Sequence, residues 1–523
     1  MPETVVLCGG APAPHRRARV VRLSTDGAEA NVELRSEDIG RRMLASLPAT
    51  LSDLLDVATY IYCADQLVSR GGSTGRQLGA DWRREVRFVI PVREPDRWSS
   101  PGVTERLERL LTFMSDDNTR FEFIRARDGP TGSGYFDFGS EVDEVALFSG
   151  GLDSLAGAVD RLSKGASRLL LVSHQSSTKI AKRQRELARE LAARFPNRVL
   201  HIPVRVTMRG VEAVETTQRT RSFLFGALAA TVAQIGHASR LALFENGIVS
   251  INLPIAGQVL GTAATRTAHP RVVRDLAAFL STPLDREVVV ENPYLWKTKA
   301  EVADVLHASG HGDLARHTVS CSRVYWMTRL HTHCGRCSQC LDRRFGALAA
   351  GLGEDDPETM YEVDLLTGAR EEDLDQTMAE SFVRHALELK DMTERTFMSR
   401  FGGEVARVIS CIRGMSSSEV ARAMLDLHHR HAVAVRAVLE DGYRKHAHAL
   451  AGQTLPPSCI LRLVAGPGGI VAQPEPFRQT MELTPPDMRD FGRSSQIRLA
   501  IDAQARRVLI EGAPAIEDQL PLG

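Results

Sequence analysis

The sequence predicts an α/β core built on a parallel sheet, preceded by an α+β domain and followed by a mostly helical domain. Three observations lead to this prediction. Short apolar runs alternate with helical patterns between residues 141 and 352, as the successive β-α units of a parallel sheet require. One run leads through a Gly-Gly turn into a helix, which is a common anion-binding geometry. Four cysteines near the end of the same region predict a metal-binding loop.

Length and composition limit the possible organisation. At 523 residues the chain is too long for one compact core, and we expect domains at 1–140, 141–352 and 353–523. The 65 basic and 65 acidic side chains give a formal net charge of zero. This balance disfavours a broad nucleic-acid or membrane surface and favours a small substrate or a protein partner. No apolar run has the length of a signal sequence or a membrane span, so we expect a cytoplasmic protein.

Residues 1–140 combine β-type runs with two helical patterns, at 51–69 and 103–114, and therefore predict an α+β domain. The β-type runs lie at 4–8, 17–23, 31–35 and 86–92. A segment rich in glycine and serine at 127–140 predicts a linker or the end of a hairpin. We interpret this domain as a docking region for a partner.

The turn at 149–153 is the first candidate site. Residues 145–148 predict a buried strand, and 154–162 carry apolar residues at helical spacing. A turn between them frees backbone N–H groups at a helix N-terminus, where a phosphate can bind. No lysine follows the glycines, so the turn is not a Walker A loop. The anion-binding residues are expected to be Ser149, Gly150, Gly151, Leu152, Asp153 and Ser154.

Other polar residues follow predicted strands or begin predicted helices. Ligands of α/β sheets bind beyond the C-terminal ends of the strands. A strand that ends at Ser173 therefore makes Ser173, His174 and Gln175 candidates for lining a nucleotide pocket. Positive charges for a phosphate or carboxylate are expected from Arg219, Arg221, Lys297 and Lys299. We expect Ser149 and Asp153 to lie on a loop outside the core.

The cysteines at 321, 334, 337 and 340 have the spacing C-x12-C-x2-C-x2-C. Four such thiolates predict one closed tetrahedral site, with Cys321, Cys334, Cys337 and Cys340 holding Zn²⁺. An iron-sulfur cluster remains the alternative. His331 and His333 in the same loop are expected to support the ligands or to be exposed. The other cysteines, Cys8, Cys63, Cys411 and Cys459, are expected to be reduced and buried.

The last third of the chain predicts mainly helices. Residues 375–451 show two or three amphipathic patterns, and 495–512 predict a hairpin. His428, His429 and His431 are not spaced to share one helix face. We expect these histidines to lie on a solvated surface of their helix.

Ser-Gly-Gly-Leu-Asp-Ser at 149–154 matches the SGGxDS signature of the PP-loop ATP pyrophosphatases. Together with "KTKAEV" at 297–302 and the cysteine cluster, it makes residues 142–352 similar to the QueC family of 7-cyano-7-deazaguanine synthases. The resemblance implies an adenine nucleotide alpha hydrolase-like fold, with ATP, Mg²⁺ and Zn²⁺. It also implies a ligase-type reaction that releases AMP and pyrophosphate while it activates a 7-carboxy-7-deazaguanine-type carboxylate.

The same resemblance suggests individual roles. Lys297 and Lys299 match the Lys-Thr-Lys segment of the family, and Arg219 and Arg221 lie in the region of its arginine-bearing helix start. Asp153 is implied as a Mg²⁺ ligand or loop organiser. Glu245 and Asn246 are expected to contact the base, because a carboxylate can accept hydrogen bonds from a guanine-like edge.

The chain departs from the QueC pattern at two points. About 140 residues precede the core and about 170 follow it, and the Gly-Tyr-Pro-Asp-Cys-Arg segment of the family is replaced by the sequence at 244–270. The layout resembles the long QueC-like proteins of the Qat and type IV CBASS anti-phage operons, partly through 51–71 and 81–98. We therefore expect amide formation between the activated carboxylate and a partner protein. The alternatives are a nitrile-forming synthase that uses ammonia, a tRNA thiolase and a non-catalytic ATP-binding scaffold.

Overall fold

The computed structural model describes residues 3–12, 19–27, 29–43, 47–70, 83–126, 142, 144–165, 168–215, 218–254 and 266–465, and three short strands between 480 and 511. The chain divides into two compact units, Met1–Val464 and Ala465–Gly523. The predicted linker at 127–140 lies outside the described residues. None of the helices within these ranges combines the length and the apolar character needed to cross a bilayer.

In the described residues of its N-terminal part, the first unit contains a four-stranded sheet and four helices. Its elements are β1 (Thr4–Cys8), β2 (Arg19–Leu23), β3 (Val32–Leu34), α1 (Glu37–Met43), α2 (Ala49–Leu67), β4 (Glu85–Val92), α3 (Pro95–Trp98), α4 (Pro101–Ser115) and β5 (Asn118–Arg125). The sheet has the order β2-β1-β4-β5, and every pair in it is parallel.

The α+β arrangement predicted for residues 1–140 is therefore wrong, because these strands form a parallel sheet. Apolar alternation predicts that a segment is a strand but does not give its direction. Parallel neighbours need a long crossover connection, and the helix α4 supplies one between β4 and β5.

A second sheet forms the centre of the unit and confirms the predicted α/β class. Its elements are β6 (Glu144–Leu147), α5 (Leu152–Ser163), β7 (Leu169–Gln175), α6 (Thr178–Arg194), β8 (Val199–Met208), α7 (Arg221–Ile235), β9 (Arg240–Ala242), α8 (Gly247–Ile251), α9 (Pro270–Ser281) and β10 (Val289–Glu291). The order is β10-β9-β6-β7-β8-β3, with all neighbours parallel except β3 and β8.

This strand order places a crevice beside β6. The chain proceeds from β6 to β7 and β8 on one side, then returns to form β9 and β10 on the other side. The connections after β6 and β9 consequently diverge, which opens a ligand-sized gap at the C-terminal ends of the strands. The helix α7 is buried along most of its length. It packs against α2 and against the strands β6, β7 and β9 of this sheet. The first two sheets therefore share one apolar core.

Helices follow the central sheet along the chain. They are α10 (Lys299–Ala308), α11 (Ser338–Ala349), α12 (Asp373–Lys390), α13 (Glu394–Ile409), α14 (Ser417–Lys445), α15 (Ala447–Ala451) and α16 (Ile460–Ala465), with 3-10 turns at Gly312–His317, Val324–Trp326 and Glu358–Met360. The helix α14 packs against α11, α12 and α13. Its apolar face joins two core clusters that also include Phe382 and Phe397.

Two of the histidines on α14 are buried, so the expectation of a solvated surface is wrong for them. His428 bonds through Nδ1 to the carbonyl of Met424 at 2.7 Å, and the rings of His431 and Phe382 are nearly perpendicular, with their centroids 5.5 Å apart. Burial lowers the pKa of His431 to about 3. His428 and His431 are three residues apart and so share the face that packs on the core, whereas His429 is only half-buried.

All eight cysteines lie within the described residues, and none of them forms a disulfide. Cys8, Cys63 and Cys459 are buried as predicted, whereas Cys411 is only half-buried.

The second unit is described by three strands. They are β11 (Thr480–Met481), β12 (Arg498–Asp502) and β13 (Arg507–Glu511), in the order β11-β12-β13. The antiparallel pairing of β12 with β13 agrees with the hairpin predicted at 495–512.

Candidate functional site

A cavity of about 870 Å³ opens at the C-terminal ends of the central strands. The segments after β6, β7 and β9 and the end of β8 line it, together with residues of α2, α7 and the stretch that leads to the cysteines. The cavity therefore lies at the crevice that the strand order creates. Its volume lies within the range of small-molecule binding sites.

The loop between β6 and α5 has the predicted strand-turn-helix geometry. Gly150 has a φ of +85°, which a residue with a side chain rarely adopts. The N–H of Gly151 donates to Ser149 Oγ at 3.2 Å, and the hydroxyls of Ser149 and Ser154 lie 3.1 Å apart. From α6, Gln184 Nε2 donates to the carbonyl of Ser149 at 3.0 Å. Two hydroxyls and a helix N-terminus thus meet at one side of the cavity, as an anion site requires.

Asp153 lies in a buried polar cluster beneath this loop. Its Oδ1 accepts from Lys299 Nζ at 2.6 Å, and its Oδ2 accepts from the backbone and side-chain N–H groups of Asn246, both at 3.1 Å. Lys299 Nζ also lies 3.2 Å from Asp342 Oδ2. Asp153 is only 6% exposed, so the expectation that it lies outside the core is wrong. Asp153 lies in the first turn of α5 with its side chain buried against Asn246 and Lys299, while Ser149 in the preceding loop is exposed.

The ammonium of Lys299 affects the pKa of each carboxyl group in this cluster. Burial favours the neutral form of Asp153, but Lys299 and the hydrogen bonds from its neighbours lower its pKa below the usual value. Burial raises the pKa of Asp342, with a contribution from Asp153 that Lys299 only partly offsets. Burial and the negative charge of Asp153 also raise the pKa of Glu245, which lines the cavity. Three carboxyl groups therefore face the single cation of Lys299.

A glycine on α11 allows Lys299 to reach Asp153. A Cβ atom on Gly346 would lie 2.4 Å from Lys299 Cγ, so a larger residue at this position would displace the lysine side chain. Because the carboxylate of Asp153 already accepts three hydrogen bonds, its geometry fits the loop-organising role better than the role of a Mg²⁺ ligand.

The predicted lysines and arginines divide into those at the cavity and those away from it. Lys299 and Arg221 line the cavity. The ammonium of Lys297 instead lies 6.0 Å above the ring of Tyr294, outside the cavity lining. Arg219 is buried, and it donates to the carbonyl of Ser115 at 3.3 Å. Burial lowers the pKa of Arg219 to about 10.

Ser173, His174 and Gln175, which the sequence predicts at the end of the strand and in the loop after it, all belong to β7 and do not line the cavity. Ser173 Oγ donates to the carbonyl of Phe148 at 2.6 Å, and His174 Nε2 bonds to the carbonyl of Val206 at 2.9 Å. The strand continues two residues beyond its predicted end, to Gln175. The cavity is consequently lined by the next three residues, which are Ser176, Ser177 and Thr178.

Several residues near the site were not predicted from the sequence. Asp342 belongs to the buried cluster. Ser320 contacts the loop at 149–154, which we call the anion loop, and Tyr62 lines the cavity from α2. Asp342 follows Cys340 by two positions, on a helix whose neighbouring residues are all buried. In the sequence Asp342 stands beside Arg343 and Arg344, so its burial and its role could not be predicted from the local pattern.

The four clustered cysteines could hold a metal ion such as zinc. Their sulfur atoms lie within 4.8 Å of one another, and all four residues are buried. The Cys321–Cys337 and Cys334–Cys340 sulfur distances are 4.0 and 3.9 Å. Zinc–sulfur bonds of about 2.3 Å in a tetrahedron separate the sulfurs by about 3.8 Å, so the arrangement fits this ion. His333 is not a ligand, since its Nε2 accepts from the backbone N–H of Ser320 at 3.2 Å.

The segment before Cys321 connects the cysteines with the anion loop. The N–H of Val319 donates to the carbonyl of Gly150 at 2.9 Å, and Ser320 Oγ accepts from the N–H of Leu152 at 3.4 Å. Arg343, which is ion-paired with Asp356, donates to Ser320 Oγ at 3.3 Å. A metal ion bound by the four cysteines would therefore also stabilise the anion loop.

Comparison with protein-family models gives no match. Comparison with curated proteins gives no match either.

Proposed function

We propose that this chain is an ATP-dependent enzyme that adenylates the carboxylate of a 7-deazaguanine-type acid and then transfers the acyl group to an amine of a partner protein. The observation that carries the proposal is the Ser149–Ser154 loop, which opens onto the cavity directly above the Asp153–Lys299 ion pair. The SGGxDS match and the resemblance to the QueC family support the choice of reaction and of acid. We also propose that this reaction serves anti-phage defence, because the chain resembles the long QueC-like proteins of anti-phage operons.

The proposed reaction has two steps. In the first, a carboxylate oxygen of the acid attacks the α-phosphorus of ATP, and the bond to the β-phosphate breaks to release pyrophosphate. The hydroxyls of Ser149 and Ser154 and the N-terminus of α5 hold the departing pyrophosphate. In the second, the amine attacks the acyl carbon, AMP leaves with the bonding electron pair, and the nitrogen loses a proton. Holding the amine beside the acyl adenylate supplies much of the rate enhancement.

Oxygen ligands for a magnesium nucleotide are available at the cavity. Asp153 and Glu245 line it, and beside them Asp342 Oδ1 is buried without a hydrogen-bond partner. When bound, Mg²⁺ would neutralise charge on the phosphates, and Glu245, whose pKa is raised by burial and by Asp153, would have to lose its proton to hold the ion. Lys299 keeps Asp153 ionised, which fixes the first turn of α5 below the phosphates.

Exposed apolar side chains around the mouth support a protein as the acceptor. Ten large apolar side chains are exposed in the described part of the chain, and five of them lie on two loops at or near the cavity: Val211, Val214, Tyr325, Trp326 and Leu330. Val211 and Tyr325 line the cavity itself. Lys179 Nζ donates to the carbonyls of Tyr325 and Met327 and so stabilises the loop that carries Tyr325, Trp326 and Leu330. Concentrated exposed apolar surface is typical of an interaction site.

The proposal is tested by incubating the protein with ATP, Mg²⁺ and 7-carboxy-7-deazaguanine, with and without the protein encoded beside it. We expect AMP and pyrophosphate, and a partner whose intact mass increases by that of the acid minus one water. Release of ADP and phosphate would contradict the adenylation step. An unmodified partner with free nitrile would indicate small-molecule synthesis, and ATP binding without AMP would indicate a scaffold.

Replacing Ser149 by alanine is expected to lower the rate of AMP formation by about 100-fold or more, because one donor to the departing pyrophosphate is lost. The free energy of unfolding should change by less than about 1 kcal/mol, since the side chain is exposed. Ser163→Ala at the other end of α5 is the matched control and should leave both quantities unchanged. Equal activity of the two variants would exclude Ser149 from the anion site.

A further inference from the structure

A second set of polar and aromatic residues lines the cavity on the side of α2 and α7. It consists of Tyr62 and Gln66 from α2, and Gln218, Arg221, Ser222 and Phe225 from the start of α7 and the residues just before it. We call these six residues the α2–α7 wall. Val206, Thr207 and Met208 line the cavity next to it, at the end of β8. β8 is separated from β6 by one strand, β7. It therefore lies about 10 Å from β6, which leads into the anion loop.

Arg221 is the only charged residue of the α2–α7 wall. Its guanidinium carbon lies 5.5 Å from the ring centroid of Phe225, and it forms no ion pair within the described part of the chain. Its Nε and the hydroxyl of the adjacent Ser222 are buried without hydrogen-bond partners. A half-buried cation without a counterion is unfavourable, so this arrangement is typical of a site that an anionic ligand completes.

The protein groups around Arg221 do not neutralise its charge. Tyr62 and His174 are the titratable groups that face it, from α2 and β7. Burial raises the pKa of Tyr62 to about 12, and burial together with Arg221 lowers the pKa of His174 to about 3. Both rings are therefore neutral at pH 7. Among the described residues no group supplies a negative charge to Arg221, which leaves this role to a ligand.

The remaining residues of the wall indicate the shape of that ligand. Phe225 and Tyr62 present aromatic surface, and the side-chain amides of Gln66 and Gln218 offer both donors and acceptors. Tyr62 Oη donates to Gln218 Oε1 at 3.5 Å, which orients the amide of Gln218. Aromatic surface combined with amide groups and one cation suits a flat heterocycle that carries a single negative group.

We propose that the α2–α7 wall binds the acid that is to be activated, with Arg221 and Ser222 holding the carboxylate of a planar heteroaromatic ring. This inference rests on the proposed adenylation and locates its second substrate. It also gives the N-terminal region a direct part in the site, because α2 supplies Tyr62 and Gln66. A phosphate of the nucleotide has the same charge and is the rival ligand for Arg221.

Direct binding measurements separate the two ligands. Calorimetry of the full-length protein would use 7-carboxy-7-deazaguanine, the uncharged 7-amido analogue and ATP as separate probes. We expect Arg221→Gln to weaken binding of the acid by about 100-fold, because a charge-assisted pair is lost. The affinities for ATP and for the amide should change by less than about threefold. Arg221→Lys should recover part of the lost affinity, because it restores the charge but not the planar fork.

The exposed Arg189→Gln on α6 is the matched control and should bind all three probes like the wild type. An Arg221→Gln protein that loses ATP but keeps the acid would overturn the proposal and assign Arg221 to a nucleotide phosphate. Unchanged binding of every probe, or a wild type that does not bind the acid, would also overturn it. Arg221-dependent binding of the acid without AMP formation would contradict the adenylation function while supporting this site.

Discussion

Replacing Lys299 by methionine is expected to abolish AMP formation and to lower the free energy of unfolding by about 3 to 5 kcal/mol. The substitution removes the ammonium that lies 2.6 Å from Asp153 and 3.2 Å from Asp342, and leaves two buried carboxyl groups without a cation. Removing one partner of a buried ion pair is costly for this reason. Activity should fall because an unpaired Asp153 no longer fixes the first turn of α5. Chemical denaturation and an AMP assay measure the two effects.

Lys297 provides the matched control. It lies two residues before Lys299, but its ammonium packs above the ring of Tyr294 and its side chain does not line the cavity. Lys297→Met should change the free energy of unfolding by less than about 1 kcal/mol and the activity by less than about threefold. Full activity of Lys299→Met, or an equal loss in both variants, would show that the buried cluster does not organise the site.

A second substitution separates the stability effect from the catalytic effect. Adding Asp153→Asn to Lys299→Met removes one of the two unpaired carboxylates, so part of the lost stability should return. AMP formation should remain absent, because the Asp153–Lys299 pair is still missing. Recovery of activity together with stability would indicate that the lysine acts only on folding.

The local parts of the site could be predicted because short-range chemistry determines them. A buried strand, two glycines and an amphipathic helix in close succession specify a strand-turn-helix, and the structure has it at Glu144–Leu147 and Leu152–Ser163. The cysteine spacing similarly predicts one metal site, since three of the four ligands lie within seven residues. Neither inference needs to know which segments meet across the fold.

The side chains that reach the cavity through tertiary contacts could not be predicted from the sequence. Arg219 and Arg221 are two residues apart and chemically equal, yet only Arg221 reaches the cavity, because Arg219 is buried against the carbonyl of Ser115. Lys297 and Lys299 differ in the same way, and the space left by Gly346 on α11 decides which of them reaches Asp153. Tyr62 comes from a helix about ninety residues before the anion loop, and no local pattern connects the two.

Replacing Cys337 by serine is expected to lower the zinc content from about one ion per chain to a small fraction and to reduce ATP affinity by about tenfold or more. The loss of a thiolate opens a four-coordinate site, and structural zinc contributes directly to folding free energy. The effect should reach the nucleotide, because Val319 and Ser320 connect Cys321 to the loop carbonyl of Gly150 and the N–H of Leu152. Elemental analysis and calorimetry with ATP measure the two losses.

Cys411→Ser is the control for this variant, since Cys411 is a half-buried thiol outside the cluster and should keep both zinc and ATP. Iron with inorganic sulfide in the wild type would replace the zinc assignment by an iron-sulfur cluster. A Cys337→Ser protein that has lost zinc but binds ATP with unchanged affinity would separate the two sites. In that case the hydrogen bonds of Val319 and Ser320 would be a packing contact, and the anion loop would hold its shape through Gln184 and the Asp153–Lys299 pair alone.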